Sequence, residues 1–372
     1  MAPDKSRLGS RGRVADNRKV KKSVLILSGL LFLLIAANSA LAGDKIECAY
    51  CGQEISGGRY LQVDGKFYHE NHFLCAHCNR PITGSNLVKA DGTYYHADCY
   101  RSKTAIRCDF CYELIEGEYI QYRGRNYHPE CYQRNVALRC DFCGGIIEGG
   151  YFTDFWGNHY HAHHRGQVPE CEYCGRLLGD IHNGGGVRYP DGRYVCDLCR
   201  RTSVDNLTTA RRLLEEVRAH LRSFGIAVDY EEIELNLTTL DEIARFLNDS
   251  KTSQTGFVKH NYSTRHGVVT DQSFEIYILT GMPRTCFIST AAHELMHVWQ
   301  DLNGPLKMNK ALCEGTCNYA SRLVLERIGG PGPEFVLQNL ESNDDPVYGE
   351  GYRRVARLVR NRGIDYLLNH LK

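Results

Sequence analysis

The sequence predicts an α+β chain in two styles, serial metal-clamped β-hairpins followed by a mainly helical domain with a small sheet. Three observations predict it. A Cys-x2-Cys unit recurs five times between Cys48 and Cys199. Cysteine density then collapses, and apolar residues take up helical spacing, as at Leu213, Leu214, Val217 and Leu221. Last, His293-Glu294-Leu295-Met296-His297 lies in an apolar helical run, 288–302, ahead of a second helix carrying Glu314. A length of 372 residues suits two or three domains, and a net charge of +1 makes no general electrostatic case for nucleic acid.

The amino terminus comes first. Residues 1–22 are polar and basic, ending Arg18-Lys19-Val20-Lys21-Lys22, and an apolar run, Val24 to Ala37, follows. Ala40-Leu41-Ala42 is an A-x-A cleavage pattern, so 1–42 reads as a signal peptide and the mature chain is expected to begin at Gly43. The folded part is then exported, to a periplasm or the extracellular space. The alternative is an uncleaved membrane anchor.

Each repeat is Cys-x2-Cys, sixteen to twenty-one residues, then His or Cys, two residues, and His or Cys. The quartets are Cys48, Cys51, His69, His72; Cys75, Cys78, His96, Cys99; and Cys108, Cys111, His128, Cys131. They continue with Cys140, Cys143, His161, His164 and Cys171, Cys174, Cys196, Cys199. Fourteen of the seventeen cysteines are used, in tetrahedral sets of the zinc type. Disulfides are the competing explanation in an exported chain. Six ligand positions are histidine, however, and the first and fourth units have no partner thiols of their own. Asp64-Gly65, Asp91-Gly92 and Asp191-Gly192 read as hairpin turns between short strands. Each unit is too small to fold without its metal.

Only Phe73 and Leu74 separate the first two quartets, an arrangement that resembles a LIM domain. His72 stands where cysteine is usual, and zinc accepts either. Residues 43–103 are therefore assigned to a LIM domain and 104–202 to three LIM-like knuckles. That resemblance implies a protein partner.

Residues 203–372 form the last predicted domain. Helices are expected at 208–224, 240–247 (capped by Thr238 or Thr239), 288–302, 310–326, 348–360 and 364–371, with strands at 233–237 and 273–279. The strand 273–279 reads either as the edge of a zincin-like sheet, open to an extended peptide, or as a core strand. Gly329-Gly330-Pro331-Gly332-Pro333 reads as a firm break.

Two histidines four apart leave one helix face together and can grip one Zn²⁺, with Glu294 placed to take a proton from a water activated by the metal. Glu314, seventeen residues beyond His297, completes a His₂Glu set, and Asn318 one turn later is placed to hold a ligand histidine. Oxyanion donors come from Tyr348, Tyr352, His260 and His266, with Tyr348 preferred. Cys286, Cys313 and Cys317 fall outside the metal sets, as a bridge plus a free thiol or as buried free cysteines.

LIM-type knuckles, His-Glu-Leu-Met-His, Cys313-Glu314-Gly315 and Tyr348-Gly349-Glu350-Gly351-Tyr352-Arg353 together resemble the plant LIM-domain peptidases that limit organ size. The resemblance implies a zincin-like fold of the gluzincin type and a zinc-dependent endopeptidase acting on protein or peptide substrates. His293, His297 and Glu314 would be ligands and Glu294 the base. One catalytic and about five structural zinc ions follow. Ubiquitin-binding segments known in that family are not evident here, so ubiquitin regulation is not carried over. Two rival readings are a non-enzymatic adaptor with a peptidase-like scaffold and a peptidase held latent by its knuckles.

Overall fold

The computed structural model describes residues 19–22, 45–56, 59–83, 86–90, 92–231, 233–250, 252–266, 268–304 and 308–371. The apolar run and cleavage pattern of 23–42 lie outside the described residues. Lys19–Lys22, within the basic region, pairs antiparallel with Glu118–Tyr122 of the third knuckle, a pairing that cleavage after Ala42 would remove. No described helix is long and apolar enough to cross a membrane.

All five repeats fold as antiparallel hairpins. These are Tyr60–Val63 with Lys66–His69, Leu87–Ala90 with Thr93–His96, and Glu118–Tyr122 with Arg125–Tyr127. Tyr151–Thr153 with His159–His161 and Gly186–Arg188 with Tyr194–Cys196 complete the set. Asp64 and Gly65 both take positive φ, 52° and 76°, which is the type I′ turn that matches strand twist.

Contacts divide the chain within the run of knuckles rather than after it. One compact unit ends at Ala137; the other begins at Leu138 and holds knuckles four and five together with the carboxy-terminal domain. The cysteine count misses this, because it reports ligands and not the surfaces around them.

In the second unit a three-stranded sheet has Val268–Leu279 at its centre. Ile233–Thr238 runs parallel to one side of it and Gly256–Arg265 antiparallel to the other. The central strand is therefore the one expected at 273–279, and one of the two edges belongs to Gly256–Arg265, which the sequence reading left unassigned. Alternation explains the miss. The outer half of that strand is exposed on both faces, so it carries no two-residue hydrophobic period. Phe274, Ile276 and Ile278 bury one face of the sheet in a core shared with helix Leu207–Ser223 and helix Arg284–Asn303.

The remaining helices are Leu240–Leu247, Lys310–Ile328, Pro331–Ser342, Gly349–Arg362 and Ile364–His370. Thr239 caps the first with a capping box to Glu242. The break expected at 329–333 ends at Gly330. Pro331 opens a helix, as proline does well where no amide donor is needed.

Knuckle five is built into this core. Ser203–Val204 pairs with Met282–Pro283, and the Arg284 amide donates to Thr202 O at 2.8 Å, where the histidine-bearing helix starts. Arg193, nine-tenths buried, is paired with Asp191 and donates to Thr280 O at 3.3 Å. Gly281 has φ +74° and lies so close to Tyr189 that a Cβ would stand 2.8 Å from its ring. Knuckle four joins through Trp156, which donates to Cys174 O at 2.8 Å and packs on Phe335 at 5.3 Å.

Candidate metal centres and active-site cleft

Zinc bonds of about 2.0–2.3 Å in a tetrahedron separate donor atoms by about 3.3–3.8 Å. Every quartet gathers with its ligand atoms within 4.8 Å of one another. Cys51 Sγ lies 3.5 Å from His69 Nδ1, Cys78 Sγ 3.4 Å from His96 Nδ1, and Cys111 Sγ 3.4 Å from His128 Nδ1. Cys143 Sγ lies 3.4 Å from His161 Nδ1, and Cys174 Sγ 3.6 Å from Cys196 Sγ. A backbone amide also reaches the first sulfur of several units. His69 N donates to Cys48, His96 N to Cys75 and Cys196 N to Cys171, each at 3.4 Å. Such bonds favour thiolate over thiol, as a zinc ligand requires.

A sixth gathering lies where helix Arg284–Asn303 meets helix Lys310–Ile328. His293 Nε2 is 3.2 Å from His297 Nε2 and 3.2 Å from Glu314 Oε2, and His297 Nε2 is 3.6 Å from that oxygen. These separations match the edges of a zinc tripod. Both imidazoles are held from behind. Asn318 Oδ1 lies 3.0 Å from His293 Nδ1, and Gln300 Oε1 lies 3.2 Å from His297 Nδ1. Gln300 was not singled out from the sequence, although its place three residues after His297 is the signal that finds it.

Electrostatics divide the two glutamates. Desolvation pushes the Glu294 carboxyl above its ordinary value, partly offset by the two histidines. Desolvation acts on Glu314 too, but hydrogen bonds to His293 and His297 outweigh it and hold that carboxyl well below its usual range. The charged form is thus favoured at Glu314 and disfavoured at Glu294. Cys313, whose pKa is lowered to about 5 by a hydrogen bond with Cys317, and Cys317 itself, raised by burial, sit beside His297. Cys286 is a separate half-buried thiol, and none of the three forms a disulfide.

The tripod opens into a cleft of about 850 Å³ lined by the 252–258 segment, Thr290, Asn318 and Tyr348. Thr255 and Thr290 hydroxyls meet at 3.0 Å, tying the edge strand to the histidine helix. Gly256 permits the approach: a Cβ there would stand 2.9 Å from Glu294 Oε1. Tyr348 reaches the cleft, where its hydroxyl accepts from Gln254 Nε2 at 3.1 Å and its carbonyl accepts from Asn318 Nδ2 at 3.0 Å. Asn318 thereby ties His293 to Tyr348. The helix behind Tyr348 packs backbone to backbone, since a Cβ on Gly315 would meet Gly351 O at 2.5 Å.

The other donor candidates go elsewhere. Tyr352 is buried in the core and bonded to Arg322, His266 is exposed on a turn, and His260 is engaged by Gln272 and Asp301.

Comparison with known proteins finds two family matches in the chain. Residues 48–104 match the LIM domain model. Residues 235–332 match the model described as Protein DA1. The second match contains both histidines, Glu294 and Glu314. Protein DA1 of Arabidopsis thaliana is 24% identical over 87% of this chain and 66% of its own length. LIM domain-containing protein HDR3 of Oryza sativa subsp. japonica is 22% identical over 87% of the chain and 72% of its own. Protein DA1-related 2 of Arabidopsis thaliana is 22% identical over 87% and 68%. The chain thus carries a LIM domain and a DA1-like region homologous to these plant proteins, and spans about two thirds of the first relative's length.

Proposed function

We propose that this protein is a zinc-dependent endopeptidase that cleaves extended segments of protein substrates. The observation that carries this reading is the mutual 3.2–3.6 Å approach of His293, His297 and Glu314 beside a buried Glu294, in a cleft bordered by a strand edge. A zinc ion held by that tripod would supply Lewis acidity, bringing the pKa of a ligated water to about 7.

The chain's own groups do the rest. Thr255 O accepts from Leu279 N, so by antiparallel alternation the amide and carbonyl of Gly256 and Val258 face away from the central strand. A substrate strand pairs there, which lays its scissile carbonyl across the cleft. Glu294 takes the proton of the attacking water and delivers it to the leaving amine. Tyr348, aimed by Gln254, donates to the developing oxyanion. Asn318 and Gln300 keep the two imidazoles in register. We further propose export of the chain, from the order of basic, apolar and A-x-A segments in 1–42.

The test is digestion of a mixed peptide library by zinc-loaded full-length protein, beside Glu294→Gln. Cleavage by the parent with a loss of about 10²–10⁴-fold in the variant, zinc content unchanged, is expected. A parent that holds zinc at His293 and cleaves nothing overturns the reading.

A further inference from the structure

Behind the proposed catalytic centre, the second nitrogen of His297 faces a group the mechanism does not use. Cys317 Sγ lies 3.4 Å from His297 Nδ1, and Cys313 Sγ lies 3.7 Å from it. Gln300 Oε1 is 3.2 Å from that nitrogen, 3.1 Å from Cys313 Sγ and 3.5 Å from Cys317 Sγ. The two thiols are hydrogen-bonded to each other. Four donor atoms on two helices thus stand close together, with five of the six edges of a tetrahedron between 3.1 and 3.7 Å. Edges of this length put a common centre about 2.1 Å from each donor, the reach of zinc bonds to sulfur, nitrogen and oxygen. The S···N spacings repeat those within the knuckle quartets, 3.4–3.8 Å.

A hydrogen-bonded network explains some of these contacts but not all. Gln300 Oε1 has two lone pairs and three close neighbours, and a network has no need to gather two sulfurs, a ring nitrogen and an amide oxygen around one point. The amide is also fixed in orientation, because Gln300 Nε2 donates to Cys313 O at 3.1 Å and to the Thr316 hydroxyl. That leaves Oε1 aimed at the thiols and the imidazole. Cys317 is fully buried, which protects a thiolate from oxidation.

We propose that Cys313, Cys317, His297 Nδ1 and Gln300 Oε1 form a second site for a thiophilic ion of the zinc type, so that His297 bridges two metals. The donor set is soft, with two sulfurs, and excludes magnesium and calcium. Filling it requires both sulfurs as thiolates and a deprotonated Nδ1, so protons leave from whichever of these groups still carry them. Metal at Nδ1 then displaces the Gln300 hydrogen bond that orients His297, so occupancy of the rear site reaches the catalytic centre through one shared ring.

Zinc is the probe, and native mass spectrometry of the zinc-saturated full chain counts the ions. Cys313→Ala with Cys317→Ala is expected to hold one ion fewer than the parent. His293→Ala with Glu314→Ala removes a different ion, the one on which the proposed function rests, so the two readings fail separately. An unchanged count in the thiol variant overturns the second site. If that variant loses more than one ion through misfolding, anomalous scattering at the zinc edge from parent crystals decides. A peak between Cys313, Cys317 and His297 Nδ1 supports the site, and a peak on the Nε2 side alone refutes it.

Discussion

Knuckles two and five carry the same ligand spacing at their amino ends and both fold as antiparallel hairpins, yet their surroundings differ. In knuckle two, Cys78 is partly exposed and the small cluster around it draws on Leu61, Val63, Phe73, Ile82 and Leu87 of the first two units alone. In knuckle five all four cysteines are buried, and Tyr173 also packs on the core of the carboxy-terminal domain. One zinc set closes a module; the other braces the turn from which the histidine helix departs. A repeated motif therefore need not have a repeated job, because the job is set by what the non-ligand residues touch.

The sharpest way to break this comparison is to remove ligands from each. Cys196→Ser with Cys199→Ser is expected to abolish the cooperative melt of the second unit and strip metal from His293, because a structural zinc contributes about 10 kcal/mol or more. Cys75→Ser with Cys78→Ser should unfold its own knuckle and leave peptide cleavage within about twofold of the parent. Equal damage from both would erase the distinction. The expected selective loss in the Cys196/Cys199 variant would also argue against latency imposed by knuckle five, since a brace cannot be cut away without loss.

Arg193→Ala probes the same junction with the zinc in place. It leaves Asp191 buried without its cation, an expected loss of about 3–5 kcal/mol read from urea unfolding. Asp191 has its pKa lowered despite desolvation, through its bonds to Arg193. Its stabilising share is therefore present above the ordinary carboxylate range and disappears as pH falls through the lowered value. Parent and Arg193→Ala should converge in stability in acid.

Trp156→Ala tests whether knuckle four belongs with the fifth. Loss of the packing between Arg176, 3.9 Å from the indole, and Phe335 should cost about 3 kcal/mol in the same assay. Gly281→Ala is the smallest change. It adds one methyl against Tyr189 at positive φ, and a cost of about 1–3 kcal/mol with little change in zinc content is expected.

Much of the site was legible in advance for a simple reason. Ligand pairs at i and i+3 or i+4 are local, and a helix or knuckle turn brings them together whatever else the chain does. His293, Glu294 and His297 are readable in that way, and Glu314 with Asn318 repeats the logic one helix on. Gln254 and Gly256 were not legible, because their roles come from an edge strand whose partner is reached across the sheet and whose period is masked by exposure. Gln300 and Thr316 were missed for another reason. Each is an ordinary helical residue until the second helix packs against it.

By itself the sequence determined the five quartets, the hairpins between them and the helix pair bearing two histidines and a glutamate, because each rests on spacing along one or two adjacent segments. Tertiary structure alone decided that Gly256–Arg265 borders the cleft, that Tyr348 and not Tyr352 enters it, and that knuckles four and five join the carboxy-terminal unit. Those outcomes depend on which surfaces exclude water against one another across more than a hundred residues, as Trp156 and Phe335 do. No periodicity within a single element carries that information.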